Sequence, residues 1–311
     1  MDIEVIAHQM IRLFLMMGCG YLLFKVKLID EDFNKKLTKL LLNFTLPAMI
    51  LSSVLDQPEE RDYSAVAYMF LFAVVMYAVL AIMAVVLTKA IRVPGPQQGI
   101  YMFMFMYGNV GFMGFPIMDA IYGSLGVFYA AIVNIIFNLS SFSLGVAFIN
   151  YQPGERGQEK HKLDWKKFLT PGVSVSLLSV VIYLAGISLP EDIVSICDSV
   201  GNITSPLAMI LIGATLATMK VKEVFTDWRL YIFAVIRLAL LPAGIWLVLR
   251  LFVKDPVMLG TLSVMILMPV ANSTVLFANM YGRDEKLGAR GVFITTLLSI
   301  GTVPLMLYFL T

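Results

Sequence analysis

The sequence predicts an all-α integral membrane protein of about ten transmembrane helices, arranged as two inverted five-helix halves with one interrupted helix in each. Three observations predict this: a composition suited to lipid, an alternation of basic residues between successive loops, and short motifs that recur at a fixed offset.

Of 311 residues, 59% are hydrophobic and only 14% charged, where a soluble domain carries roughly 25% charged residues. A bilayer core of about 30 Å takes roughly 20 apolar residues per helix. Such stretches fall at 3–24, 33–55, 63–88, 97–121, 125–149, 170–188, 191–219, 228–251, 257–281 and 286–309. The connections are short except 151–169, YQPGERGQEKHKLDWKKFL, which is polar, basic and too short to fold as a domain. The chain therefore divides into a first half, 1–150, this loop, and a second half, 170–311. The opening MDIEVIAHQM lacks the basic segment of a cleaved signal peptide, so the first apolar stretch reads as a retained helix. Cys19 and Cys197 are expected toward opposite faces of the membrane, which argues against a disulfide and gives no metal signature. No cofactor is expected, and no phosphate loop points to direct ATP drive.

Basic residues flanking membrane spans favour the cytoplasmic side. The loops after helices 1, 3, 5, 7 and 9 hold 18 of the 23 Lys and Arg, and the opposite set holds Arg61, Arg250 and Lys254. This alternation supports the ten-span count and puts both termini on the outer face of the plasma (inner) membrane. The basic run 160–167 reads as a loop facing anionic lipid, and no nucleic-acid partner is expected. Trp165 and Trp228 lie beside predicted cytoplasmic ends and read as interfacial anchors.

Helix 2 carries Asn43-Phe-Thr45-Leu-Pro47 and helix 7 carries Asn202-Ile-Thr204-Ser-Pro206, offset by 159 residues; Tyr122-Gly123 and Tyr281-Gly282 repeat the same offset. Five helices per half is an odd number, so the second half enters the membrane upside down. Inverted repeats are a feature of secondary transporters, whose sites lie near the midplane on discontinuous helices. Helix 4 carries Gly108-Asn109-Val-Gly111-Phe-Met-Gly114-Phe-Pro116, a poor helix interior. Asn109 falls about 18 Å into that helix, near the membrane centre. Helix 9 offers Pro269-Val-Ala-Asn272-Ser273-Thr274 at similar depth. Unwound backbone there is tolerated only where protein or a wet cavity satisfies it, so the pair reads as a binding site; the alternative is a proline kink with glycines serving close packing. Asn43, Asn138, Asn202 and Asn272 match the glycosylation pattern, but their predicted place inside the membrane discards that reading.

Arg237 falls about 13 Å into helix 8, and Arg12 at similar depth on helix 1. Glu4, His8 and Arg12 are four apart and share a face of helix 1. Asp119 lies near the outer end of helix 4. Ionisable groups at such depth are costly and functional by default: Arg12 or Arg237 would attract an anion, and Asp119 or His8 would take up a proton. Alternatively they pair with each other or snorkel to the interface. Asn134 and Asn138 share a face of helix 5 and read as packing residues.

The run Asn109-(x)4-Gly114-Phe-Pro116, then Ala120-Ile-Tyr122-Gly123, closely resembles the fourth helix of the auxin efflux carrier family. Pro206 through Gly213 is similar to its seventh helix, Arg237-(x)4-Pro242 to its eighth, and Pro269 through Tyr281, Thr295-Thr296 and Pro304 to its last two. The resemblance covers essentially the whole chain. It implies that helices 4 and 9 cross at the substrate site, that helices 1, 2, 6 and 7 form the scaffold of a homodimer, and that helices 3–5 and 8–10 move as an elevator. It implies substrates such as auxin or dicarboxylates of the malonate or malate kind. The short 151–169 loop fits a bacterial member and disfavours auxin itself.

The expectation is thus a secondary carrier for a small organic acid, not an enzyme, with Asn109, Gly111, Gly114, Pro116, Pro269, Asn272, Ser273 and Arg237 at its site. A sodium-coupled symporter of the bile-acid type, or a channel or receptor, are the alternatives; coupling to proton or sodium is open. Only His8 and His161 exist, with no H-E-x-x-H and no nucleophile motif, which argues against a membrane hydrolase.

Overall fold

The computed structural model describes residues 3–55, 62–151, 153, 170–218 and 227–310. Eleven helices run through these: α1 (Ile3–Lys25), α2 (Glu31–Leu55), α3 (Tyr63–Ala90), α4 (Gln98–Met106), α5 (Val110–Asn150), α6 (Pro171–Ala185), α7 (Glu191–Thr218), α8 (Trp228–Phe252), α9 (Pro256–Leu267), α10 (Ser273–Met280) and α11 (Glu285–Leu310). Among the described residues six helices (α2, α3, α5, α7, α8 and α11) are long and apolar enough to cross a membrane, and α6 and α9 are shorter apolar helices. The only β-type pairing among them is a single bridge, Gly108 with Val270. Most of the segment 151–169, including Trp165 and the run 160–167, lies outside the described residues.

The ends of these helices follow from local chemistry. Asp30, Asp62, Thr170, Asp227 and Asp255 each accept a hydrogen bond from a first-turn amide of the helix they precede, the usual way of satisfying orphan donors. Gly186 ends α6 with a φ of 71°, the left-handed conformation glycine adopts most readily.

Several spans are interrupted by a wide π turn, and proline explains three of the four. Leu41–Thr45, Val110–Gly114 and Ile236–Leu240 each end two residues before Pro47, Pro116 and Pro242. A proline has no amide to offer the carbonyl one turn back and its ring crowds that carbonyl, so the winding widens to make room. The fourth, Ser141–Gly145, has no proline; Ser140, Ser141 and Ser143 turn their hydroxyls onto carbonyls three or four residues earlier, which loosens a helix from within. In α7 the winding lapses at Asn202–Ile203, four residues ahead of Pro206. α5 changes direction at Gly123, whose φ of 59° and ψ of −150° are open essentially to glycine alone.

Packing sorts the helices into groups. α1 lies along the second half of α7, while α2 packs on α6 and on the first half of α7. The α1–α7 contact is close because glycines face backbone: a Cβ on Gly213 would sit 1.8 Å from the Met17 carbonyl oxygen, and one on Gly20 would sit 2.1 Å from that of Ile210. Small residues that let helix backbones touch are how helices associate in lipid, where burying more apolar area gains nothing. Around α4, by contrast, the core is aromatic: Phe103, Phe105, Tyr101 and Tyr107 are buried together with Phe233 and Phe277. Outward faces of α1, α3 and α8 expose Leu, Ile and Val side chains, as a lipid-facing surface does.

Candidate functional site

Helix winding stops at Met106 and resumes at Val110; it stops again at Leu267 and resumes at Ser273. Glycine at 108 and proline at 269 make these lapses, and the two unwound pieces then satisfy one another. The Asn109 amide donates to the Pro269 carbonyl at 2.7 Å, and the Ala271 amide donates to the Tyr107 carbonyl at 3.1 Å. A third buried amide, Val270 N–H, donates to the Thr295 hydroxyl of α11 at 3.1 Å. Backbone polar groups in the interior must be paired, and here each break supplies partners for the other.

The crossing has two faces of opposite polarity. On one, the N-termini of α5 and α10 border a cavity of about 340 Å³ whose walls include Asn109, Val110, Gly111 and Phe112 from α5 and Ala271, Asn272 and Ser273 from α10. A helix N-terminus carries roughly half a positive charge and unpaired amides. The Asn109 side chain caps α5, accepting from the Phe112 amide at 3.3 Å. The rest of the wall comes from Lys39, Leu42, Asn43 and Leu46 of α2, Asn134, Phe137 and Asn138 of α5, and Thr170 to Gly172 at the start of α6. Five asparagines thus face one space, and Lys39 is the charged side chain among its described lining residues. A second cavity of about 290 Å³ adjoins it, sharing Leu42, Phe112, Asn272 and Ser273. The Ser273 hydroxyl is buried between them with no hydrogen-bond partner among the described residues.

On the other face the C-termini of α4 and α9 meet, and Arg237 stands between them. It is 1% exposed. Its Nε donates to the Met104 carbonyl at 3.2 Å and its Nη1 to the Ile266 carbonyl at 2.5 Å. Expected from the sequence to draw the solute directly, Arg237 does not line the cavity; its donors go to helix-end carbonyls instead.

The other predicted positions divide similarly. Asn109, Gly111, Asn272 and Ser273 share the cavity wall. Pro269 contributes its carbonyl to the crossing. Gly114 serves packing: a Cβ there would come within 3.1 Å of the Met265 sulfur. Pro116 is buried in the first turn after the π turn. Asp119 accepts a hydrogen bond from the Ser205 hydroxyl of α7 at 3.2 Å. Arg12 and His8 are exposed on α1, and neither lines the cavity.

Sequence reasoning missed Lys39, which it counted only as a topology signal, and Asn134 and Asn138, which it assigned to packing. Asn138 Nδ2 does donate to the Asn134 carbonyl and side-chain oxygens, at 2.8 and 3.0 Å, but both residues also face the cavity. The available signal was the collection of amides on spans 2, 4, 5 and 9; nothing in one span says which of its faces meets another span. Cys19 and Cys197 are free.

Residues 5–307 match a family described as membrane transport protein. The chain is 22% identical over 305 residues to the "Uncharacterized transporter YfdV" of Escherichia coli, covering 96% of each chain. It is 24% identical over 284 residues to a transporter of Methanocaldococcus jannaschii, covering 89% of this chain and 90% of that one. It is also 24% identical over 213 residues to a Rhizobium meliloti protein named "Putative malonate transporter", covering 65% and 64%. A match that runs through both helix breaks and nearly the whole length leaves one conclusion: the chain belongs to the membrane transport protein family, the auxin-efflux-carrier type that its helix 4 and helix 7 motifs resemble.

Proposed function

We propose that this chain is a secondary transporter that moves a small organic anion, a mono- or dicarboxylate, by elevator-type alternating access. The observation that carries the reading is the wall of the larger cavity: two helix N-termini, five asparagine side chains and Lys39 surround one space of about 340 Å³. That volume falls at the small end of ligand sites. Helix N-termini and amide donors hold carboxylates through charge-assisted hydrogen bonds. Asn109, Gly111, Asn272 and Ser273 are the groups we assign to the solute, with Lys39 as the counter-charge.

The packing supports a division of labour. α1 and α2 each pack on α7, α2 also packs on α6, and the glycines of α1 and α7 hold those two helices close; we take the four as the fixed scaffold, dimeric in the membrane. The crossing helices α4, α5, α9 and α10 then travel with α3, α8 and α11. Lys39 and Thr170 stand at ends that the basic-loop alternation assigns to the cytoplasm of the plasma membrane, with both termini outside, so this conformation faces inward. Asp119 and Ser205 join the two groups of helices and are our candidates for proton or sodium linkage.

The test is a thermal-shift screen of the purified protein against mono- and dicarboxylates, malonate included, with and without sodium and across pH, followed by counterflow of the hits in liposomes. Saturable counterflow of a carboxylate is the expected result. Stabilisation by uncharged or cationic solutes alone, or an unsaturable flux of channel type, would overturn the reading.

A further inference from the structure

Arg237 is a whole positive charge buried at the crossing; its hydrogen bonds go to backbone carbonyls, and the neutral Tyr77 side chain lies near it. The two carbonyls it binds belong to Met104, two residues before α4 ends, and to Ile266, one residue before α9 ends. Each helix C-terminus carries about half a negative charge, concentrated on its last-turn carbonyls. Two such ends meeting in a water-poor interior sum to about one negative charge, and one guanidinium offsets it. The fit is steric as well as electrostatic: a Cβ on Gly108 would come 2.8 Å from Arg237 Nη2, so the break leaves room for the guanidinium to lie against bare backbone. The π turn Ile236–Leu240 ahead of Pro242 carries the arginine to that place.

The geometry points to Arg237 as a positioning residue that sets the charge preference of the cavity without touching the solute. The α4–α5 and α9–α10 breaks put a helix C-terminus and a helix N-terminus only a few residues apart. Left uncompensated, the negative ends of α4 and α9 would cancel the field that the N-termini of α5 and α10 project into the cavity. Neutralised by Arg237, they leave the positive ends in command, and the cavity favours anions. The same contacts tie α4 to α9, so the two halves of the crossing keep one spacing as they move. This goes beyond the identity of the solute and can be measured without one.

The probe is a cysteine introduced as Ser273→Cys, on the cavity wall, in a chain carrying Cys19→Ser and Cys197→Ser. Its modification is timed with two methanethiosulfonates of similar size, one bearing a sulfonate and one a trimethylammonium group. The ratio of the two rates, each divided by that reagent's rate with a simple thiol in solution, reports the local potential, because the reactivities of the thiol and of the reagents then cancel. With Arg237 present the sulfonate reagent should be favoured. Arg237→Gln, which keeps hydrogen-bond donors but removes the charge, should lower the anion-to-cation ratio by about tenfold, the effect of a helix-end charge in a sheltered place. Arg237→Lys should hold the ratio near its starting value.

An unchanged ratio in a folded Arg237→Gln protein would overturn the assignment, as would a ratio that falls equally in the lysine variant. Should Arg237→Gln and Arg237→Met both fail to fold while Arg237→Lys folds, the charge is required to neutralise the helix ends and the assignment stands. Should Arg237→Lys also fail to fold, the guanidinium acts through shape alone and the assignment falls. If the ratio behaves as expected but no carboxylate is transported, the proposed transport function fails and the electrostatic role survives.

Discussion

Replacing Asn109 by alanine should damage binding far more than folding. Its Oδ1 accepts from the Phe112 amide at 3.3 Å, a long bond, so its loss as a helix cap costs about 0.5–1 kcal/mol, the lower part of the usual range. The link across the crossing is made by the Asn109 backbone amide to Pro269 and does not involve the side chain. The residue is buried, 4% exposed, and lies on the cavity wall. A hydrogen bond from an amide to a carboxylate is worth about 1.5–3 kcal/mol, which is roughly 10- to 150-fold in affinity. Counterflow in liposomes should therefore show KM raised by at least about tenfold, while thermal unfolding in detergent drops by only about 1–2 °C. Two further substitutions separate capping from binding. Asn109→Ser and Asn109→Asp both preserve an N-cap oxygen and should restore the melting temperature. Serine restores little transport, because its hydroxyl is too short to reach the cavity centre, and aspartate restores none, because it repels an anion. Wild-type KM and turnover in Asn109→Ala, or wild-type anion transport by Asn109→Asp, would refute the reasoning.

Other outcomes follow from the same structure. Gly213→Val puts atoms where the Met17 carbonyl stands, 1.8 Å from the ideal Cβ position, so it should destabilise by about 3 kcal/mol or more; Gly18→Ala, which meets nothing within 4 Å, should be silent in the same unfolding assay. Gly123→Ala meets no atoms but must hold φ near 59° and ψ near −150°, costing about 1–3 kcal/mol through backbone strain alone and lowering the melting temperature without loss of contacts. Thr295→Val removes the acceptor for the buried Val270 amide and should cost about 1–3 kcal/mol; Thr295→Ser should recover most of it. Lys39→Gln should raise KM for the anion by several-fold, with turnover little changed, and should flatten the dependence of KM on salt; a KM independent of this charge would remove Lys39 from the site.

How much of this protein is legible in its sequence depends on whether the physics is local. Hydropathy adds residue by residue, so membrane residence was evident from composition, and the basic-loop alternation followed from the same running tally. The breaks were legible at Gly108 and Pro269 because glycine and proline act on their own turn of helix, whatever surrounds them. Pro116 likewise announced a distortion upstream of itself, although the sequence did not say that the winding would widen into a π turn; Pro47 and Pro242, read only as motif residues, act in the same way.

Three features needed the tertiary structure. That the two breaks would pair, Asn109 to Pro269 and Ala271 to Tyr107, depends on contacts about 160 residues apart along the chain, which no local rule reaches. That Lys39, Asn43, Asn134 and Asn138 would face the same cavity as Asn109 and Asn272 depends on how α2, the part of α5 beyond Gly123 and the two helix starts are turned toward one another, and each helix alone permits every rotation. Arg237 is the sharpest case. From the chain, a buried cation in a membrane transporter reads as a solute ligand. Only the packing shows that its donors meet carbonyls at two helix ends, because the direction in which a helix end points belongs to the orientation of backbone in space and leaves no mark on any single residue.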